Sequence, residues 1–183
     1  MNVFVDLYYF LVILAIFITG FLAWQSWIQR RVPGGKAYFG LAIAMAAASV
    51  GELAAMISPN ETAALFWFNI RFFPFAIIAP LWLLFVLDYS GRRNWISTKF
   101  LFLLFIIPLI TQIMVWSSQW QSYWVYHEVA FQKIGHFWVA QTSSRVPGPW
   151  FLVHIFYTQL LMIVGSVILF IAAVRLPKTM RVQ

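Results

Sequence analysis

The stretch WFNIRFFPFAIIAPLWLLFVLDYSGRR, residues 67–93, is apolar over most of its length. It nevertheless carries Arg71 near its start, Asp88 near its end, and Pro74 and Pro80 between them. If helical from Glu61 to Tyr89 it measures ~44 Å, against ~30 Å of bilayer hydrocarbon, so it must tilt or project beyond the membrane. The two prolines are expected to bend it or loosen its hydrogen bonding, which membrane helices tolerate where neighbours satisfy the freed groups. Arg71 lies ~16 Å along the axis from the preceding SPNET turn. A lone charge at that depth costs several kcal/mol, so a partner is expected.

The run before that turn supplies one. Glu52 lies ~10 Å from the same turn, and an arginine snorkels several ångströms, so a Glu52–Arg71 pair fits a tight antiparallel hairpin. Gly40, Ala44, Ala47, Ala48, Gly51 and Ala55 recur at spacings of three and four. Such a small-residue stripe lets helices approach closely in lipid, and Glu52 borders it, pointing toward the interior. Three readings are open: a structural buried pair, the polar floor of a ligand pocket or switch, or an Arg71 that snorkels outward with no partner. Asp88, beside Arg92 and Arg93, reads as a solvated residue at the membrane boundary.

The rest of the chain agrees with a membrane class. The sequence is 63% hydrophobic and 9% charged, where globular domains average about 45–50% and about 25%. Such a chain cannot cover itself with polar surface in water. Five runs reach spanning length, at about residues 3–28, 37–57, 63–89, 100–116 and 150–174. The expected fold is therefore all-α: a polytopic up-and-down bundle of about five transmembrane helices forming a single domain over residues 1–183. The first run lacks a basic start, is too long and has no small-residue cleavage site, so it is expected to stay as a helix rather than leave as a signal peptide.

The formal charge of +7 comes from clusters beside the apolar runs. Arg30, Arg31 and Lys36 follow the first run; Arg92, Arg93 and Lys99 lie between the third and fourth; Arg175, Lys178 and Arg181 follow the fifth. All fall on one side of a five-span bundle, and the opposite side has only Lys133 and Arg145. That side is expected to be cytoplasmic, with the N-terminus outside and the tail inside. Nucleic acid is not an expected partner, because no separate basic domain exists to carry it.

Residues 117–149 form the one sizeable segment outside the bilayer. YWVYHEVAFQ and HFWVAQT flank KIG and suit a short β-hairpin. An aromatic loop lying on the headgroups and a cap over a ligand are both open for it. His127, Glu128 and His136 fall there and are weighed as a metal site, but exposed histidines are commoner, and no metal is expected. Cysteine is absent, so disulfides and thiolate metal sites are excluded. A membrane b-type haem wants two facing histidines within helices, and only His154 lies in one, so no cofactor is expected. No hydrolase word or catalytic grouping is present, and an enzyme is not expected from this chain.

Beyond these arguments, the chain resembles the N-terminal seven-helix sensor region of bacterial membrane histidine kinases. GELAAMISPNETAALFWFNIRFFPFAIIAPLWLLFVLDYSGR is similar to that family's segment with a Glu late in helix two, an SP turn, FW early in helix three, a Pro before LWLLF and an acid-Tyr-x-Gly-Arg exit. PGPWFLVHIFYTQLL is similar to its Gly-Pro-Trp-Phe start of helix five. The resemblance places Glu52, Pro80, Tyr89, Gly91, Trp150, His154 and Tyr157 on family positions; Arg71 is less typical and rests on the pairing argument above. The family has seven helices and an output domain, whereas this sequence stops at RLPKTMRVQ, before a sixth helix. It is therefore expected to be either a fragment or a shortened stand-alone relative.

The resemblance implies a signal-input domain in the bacterial inner membrane, acting on a cytoplasmic output domain, with a homodimer among its expected states. The candidate ligand-binding residues are Glu52, Arg71, Trp150, His154 and Tyr157, in an outward pocket under the long loop whose aromatic density suits a small amphipathic or apolar ligand. The competing expectation is a non-signalling membrane subunit that packs against partner helices or pigments. A small transporter is weaker, because no inverted repeat is visible.

Overall fold

The computed structural model describes residues 3–127, 130–141 and 146–175. Its long helices are α1 (Val3–Ile28), α2 (Gly35–Met56), α4 (Phe72–Tyr89), α5 (Thr98–Trp116) and α7 (Pro149–Arg175). Between α2 and α4 lies α3 (Glu61–Ile70), which runs into α4 through Arg71. Counting residues 61–89 as one span, five helices are long and apolar enough to cross a membrane.

The α3–α4 junction has a local cause. Pro74 has no N–H to give to the carbonyl four residues back, at Ile70, and the regular helix is interrupted between Ile70 and Phe72. The break is narrow. The Arg71 N–H still donates to the Trp67 carbonyl (3.1 Å), and Phe75 donates to the Arg71 carbonyl (3.2 Å). Arg71 itself keeps right-handed helical angles, φ −62° and ψ −20°. The expected single long helix is thus two helices in series, with the loosening at the charged residue. Pro80, also expected to bend the segment, is accommodated inside α4.

Short connections make the bundle run up and down. The start of α1, the end of α2, the start of α3, the end of α5 and the start of α7 all lie toward the loop between α5 and α7, the hairpin end. At the opposite, basic end, α1 joins α2 through the Pro33–Gly34 turn, and α4 joins α5 through a 3-10 turn at Arg93–Trp95. α2 and α4 occupy the centre, while α1 and α7 turn most of their surface outward, as lipid-facing helices do. Ala44, Ala48, Gly51 and Ala55 of the small-residue stripe are buried, and Ala47 is exposed. The main apolar core joins Ala79, Leu83 and Leu87 of α4 to Leu104 of α5 and Leu161 of α7.

The expected hairpin is present. β2 (Ala130–Ile134) pairs antiparallel with β3 (Phe137–Gln141) through a two-residue turn at Gly135 and His136. Only Gly135 takes a positive φ, 63°, which is the pattern of a type II′ turn. Two further elements frame it: a one-turn helix α6 (Gln121–Trp124), and a second antiparallel pair of β1 (Val125–His127) with β4 (Val146–Pro147). Lys133 and His136 lie in the hairpin, while Glu128, Arg145, Lys178 and Arg181 lie outside the described residues, as does the end of the chain. Among the described residues no group of three metal-ligating side chains occurs.

Candidate functional site

The five residues singled out in the sequence fall into two groups. The first is the Glu52–Arg71 pair. Arg71 Nη1 meets Glu52 Oε2, and both side chains are mostly buried. The other carboxylate oxygen, Oε1, accepts a hydrogen bond from the Tyr8 hydroxyl of α1 (2.7 Å). Gly51 makes this approach feasible: a Cβ there would lie 3.0 Å from the Arg71 Cβ, so any side chain would push α3–α4 away from α2. The guanidinium also sits 3.8 Å above the Phe68 ring. Charge pairing, a phenol hydroxyl and a cation–π contact together offset the desolvation of both ions.

The second group is centred on Thr111, which the sequence reading did not pick out. Its hydroxyl lies 2.9 Å from the Ile107 carbonyl, 3.0 Å from Trp150 Nε1 and 3.1 Å from His154 Nδ1. A hydroxyl has one proton and two lone pairs. With that proton on the Ile107 carbonyl, the hydroxyl accepts from the indole N–H and from an Nδ1–H imidazole. This sets the His154 tautomer and leaves Nε2 as an acceptor. Thr111 and His154 are both buried.

Tyr157 joins the same face of α7 by a different route. Pro108 has no N–H for the carbonyl of Leu104 one turn earlier, and the Tyr157 hydroxyl donates to that carbonyl instead. A proline in one helix is thus matched by a phenol in its neighbour. Sequence spacing gives Pro108 and Tyr157 separately; their meeting depends on how α5 and α7 pack.

Edge-to-face rings connect the two groups. Phe131 of the hairpin meets Phe68, Phe68 meets Phe72, Phe72 meets Trp124, and Trp124 meets His154, with centroids 5.4–5.7 Å apart. Gln112 Nε2 donates to the Phe72 carbonyl (3.0 Å), tying α5 to the first residue of α4 beside the break. The hairpin is fastened over this region. Trp138 Nε1 donates to the Ser58 carbonyl (2.9 Å), and Phe137 stacks on Tyr9 of α1 at 4.6 Å. Tyr8, Phe72, Thr111 and Gln112 escaped the sequence reading because each is an ordinary residue in an apolar run, and Trp124 because it is one of several aromatics in the outer loop; Arg71 and Glu52 stood out by charge.

A groove of about 260 Å³ touches the network through Gln112 and lies between α4 and α5. Phe73, Ile77, Phe105 and Leu109 form apolar walls, and Glu52, Arg71, Trp150, His154 and Tyr157 are not among its lining. Gln112 Oε1 is buried without a hydrogen-bond partner among the described residues.

At the basic end, Asp88 is more enclosed than a solvated boundary residue. Its Oδ2 accepts from the Gly34 N–H (2.9 Å), and its Oδ1 is 3.7 Å from Arg93 Nη1. Gly34 has φ +81°, a conformation that favours glycine, and it sits against Phe85 and Tyr89.

Compared with known families, residues 11–183 match the family model described as the N-terminal 7TM region of histidine kinase. No curated protein and no solved structure matches the chain.

Proposed function

The chain belongs to the N-terminal 7TM region of histidine kinase family and is a multi-pass membrane sensor domain, and from that premise we propose how it carries a signal. The hairpin end faces outward and the basic end faces the cytoplasm, in keeping with the placement of Arg30, Arg31, Lys36, Arg92, Arg93 and Lys99. Glu52, Arg71, Trp150, His154 and Tyr157 act as one responsive layer beneath the hairpin. A small amphipathic ligand, or a change in the membrane itself, alters that layer. The resulting shift of α4 and α7 passes to a cytoplasmic output domain through the basic end.

The observation that carries this reading is the position of the α3–α4 break. It falls at Arg71, the residue paired to α2, and the next residue, Phe72, is bonded to α5 and stacked toward α6 and α7. A change in the ion pair therefore meets the helix where its backbone bonding is already interrupted. The groove beside Gln112 gives an apolar ligand with one hydrogen-bond donor a lateral entry to the same layer.

The test is to place the chain before a histidine-kinase output module and follow autophosphorylation in reconstituted vesicles. Glu52→Gln, Arg71→Leu and His154→Ala are each expected to change basal output by about fivefold or more, the lower range of ordinary coupling energies. Unchanged output in all three, with normal insertion, would remove this layer from the signalling route.

A further inference from the structure

The basic end holds a cavity of about 1220 Å³ that the signalling layer does not use. Arg30 and Arg31, from the α1–α2 connection, Lys36, from the first turn of α2, and Arg93, from the α4–α5 connection, converge on it. Asp88 is the one carboxylate in its lining, and both of its oxygens are engaged, by the Gly34 N–H and by Arg93. Among the described residues no carboxylate pairs with Arg30, Arg31 or Lys36. Four cations against one occupied anion leave the cavity strongly positive.

A second, mostly apolar cleft of about 300 Å³ adjoins it and shares Val32 and Pro33. Its further walls include Leu22, Tyr38 and Phe85. A phosphate-sized anion alone would need the first cavity only. The two together suit a molecule with an anionic head and an apolar chain. The rim carries the signature of a membrane interface: the Arg30 guanidinium lies 4.1 Å above the ring of Trp27, which is largely exposed.

We propose that this end of the bundle is a binding site for an anionic phospholipid, with its phosphodiester among Arg30, Arg31, Lys36 and Arg93 and an acyl chain in the cleft along Tyr38 and Phe85. Basic pockets between spanning helices on the cytoplasmic face are suited to such headgroups. The bound lipid would bridge the α1–α2 and α4–α5 connections, which touch each other through Asp88.

The experiment uses the full chain in neutral detergent. Thermal unfolding is followed with added phosphatidylglycerol micelles, phosphatidylcholine micelles, or soluble glycerol phosphate and inorganic phosphate. Phosphatidylglycerol alone is expected to raise the unfolding temperature, with saturation. Arg31→Ser with Lys36→Ser should weaken that binding about tenfold or more, at roughly fivefold per cation near an anionic surface. Arg92→Ser with Lys99→Ser removes equal charge from the same end but outside the cavity, and should weaken binding clearly less. Equal losses in the two double variants would reduce the site to general surface charge and overturn the proposal. Equal protection by soluble phosphate would make it a free-anion site and overturn the lipid assignment.

Should the cavity variant fail to fold, a photoactivatable phosphatidylglycerol with its reactive group on the acyl chain is applied to the unmutated chain. Labelling concentrated around Tyr38 and Phe85 supports the site. Labelling spread evenly over the outward faces of α1 and α7 refutes it.

Discussion

The two ends of this bundle handle charge in opposite ways. At the hairpin end, Arg71 and Glu52 are drawn between helices and paired, with Tyr8 and Phe68 completing their contacts. At the basic end, Arg30, Arg31, Lys36 and Arg93 stay exposed around an open cavity. Asp88 there is largely enclosed and serves chiefly to hold a backbone N–H. In a low-dielectric layer an ion needs a partner of opposite sign, so charge determines which helices meet. At the boundary water solvates the ions, so charge is free to meet something from outside. The first arrangement makes a layer whose parts depend on one another; the second makes a surface.

The largest expected effect tests that dependence directly. Arg71→Leu leaves the Glu52 carboxylate enclosed without its cation, and removing one partner of a buried pair costs about 3–5 kcal/mol. Glu52→Gln in the same chain should recover part of the loss, because the stranded charge is gone. Unfolding in detergent, followed by circular dichroism, gives both numbers. A loss below about 1 kcal/mol for Arg71→Leu would mean that the pair behaves like a surface one, and the contrast between the two ends would fail.

A smaller effect separates side-chain dependence from simple packing where α7 meets α5. Tyr157→Phe removes the donor that serves the Leu104 carbonyl, freed by Pro108. The expected cost is about 0.5–1.5 kcal/mol, with membrane proteins toward the low end of that range. Pro108→Ala restores a backbone N–H to the same carbonyl. In that background Tyr157→Phe should cost measurably less. Equal costs in both backgrounds would show that the phenol is not answering the proline.

These cases also mark what the sequence could show. Five spanning runs, the β-hairpin and the Glu52–Arg71 meeting were legible, because each depends on a local pattern: apolar length, alternation around a glycine, and two opposite charges flanking one turn within the reach of an arginine side chain. The α3–α4 break was legible only in part. Pro74 announced a weakened helix, but its position relative to Arg71 follows from the four-residue reach of the backbone bond. Thr111, Gln112 and Phe72 were not legible. Threonine, glutamine and phenylalanine are common in such runs, and only the packing of α4, α5 and α7 turns them into connectors. His154 and Tyr157 were picked by resemblance, and the bonds they make come from α5 residues that gave no signal of their own.

Asp88 was read as a solvated boundary charge, and the basic end offers the finest test of the comparison there. Asp88→Asn keeps a carbonyl oxygen for the Gly34 N–H and removes only the charge facing Arg93, a side chain that is 76% exposed. A pair of that kind contributes little, so the change should stay within about 0.5 kcal/mol. Asp88→Leu removes the acceptor as well and leaves the Gly34 N–H unanswered beneath Phe85 and Tyr89, with an expected cost of about 1–3 kcal/mol. The difference between the two variants measures how much of the turn depends on a hydrogen bond and how much on charge. If Asn were as damaging as Leu, the negative charge itself would be holding the two connections together. The basic end would then work as the hairpin end does, by ion pairing, and its arginines would be less free to receive an anion from outside.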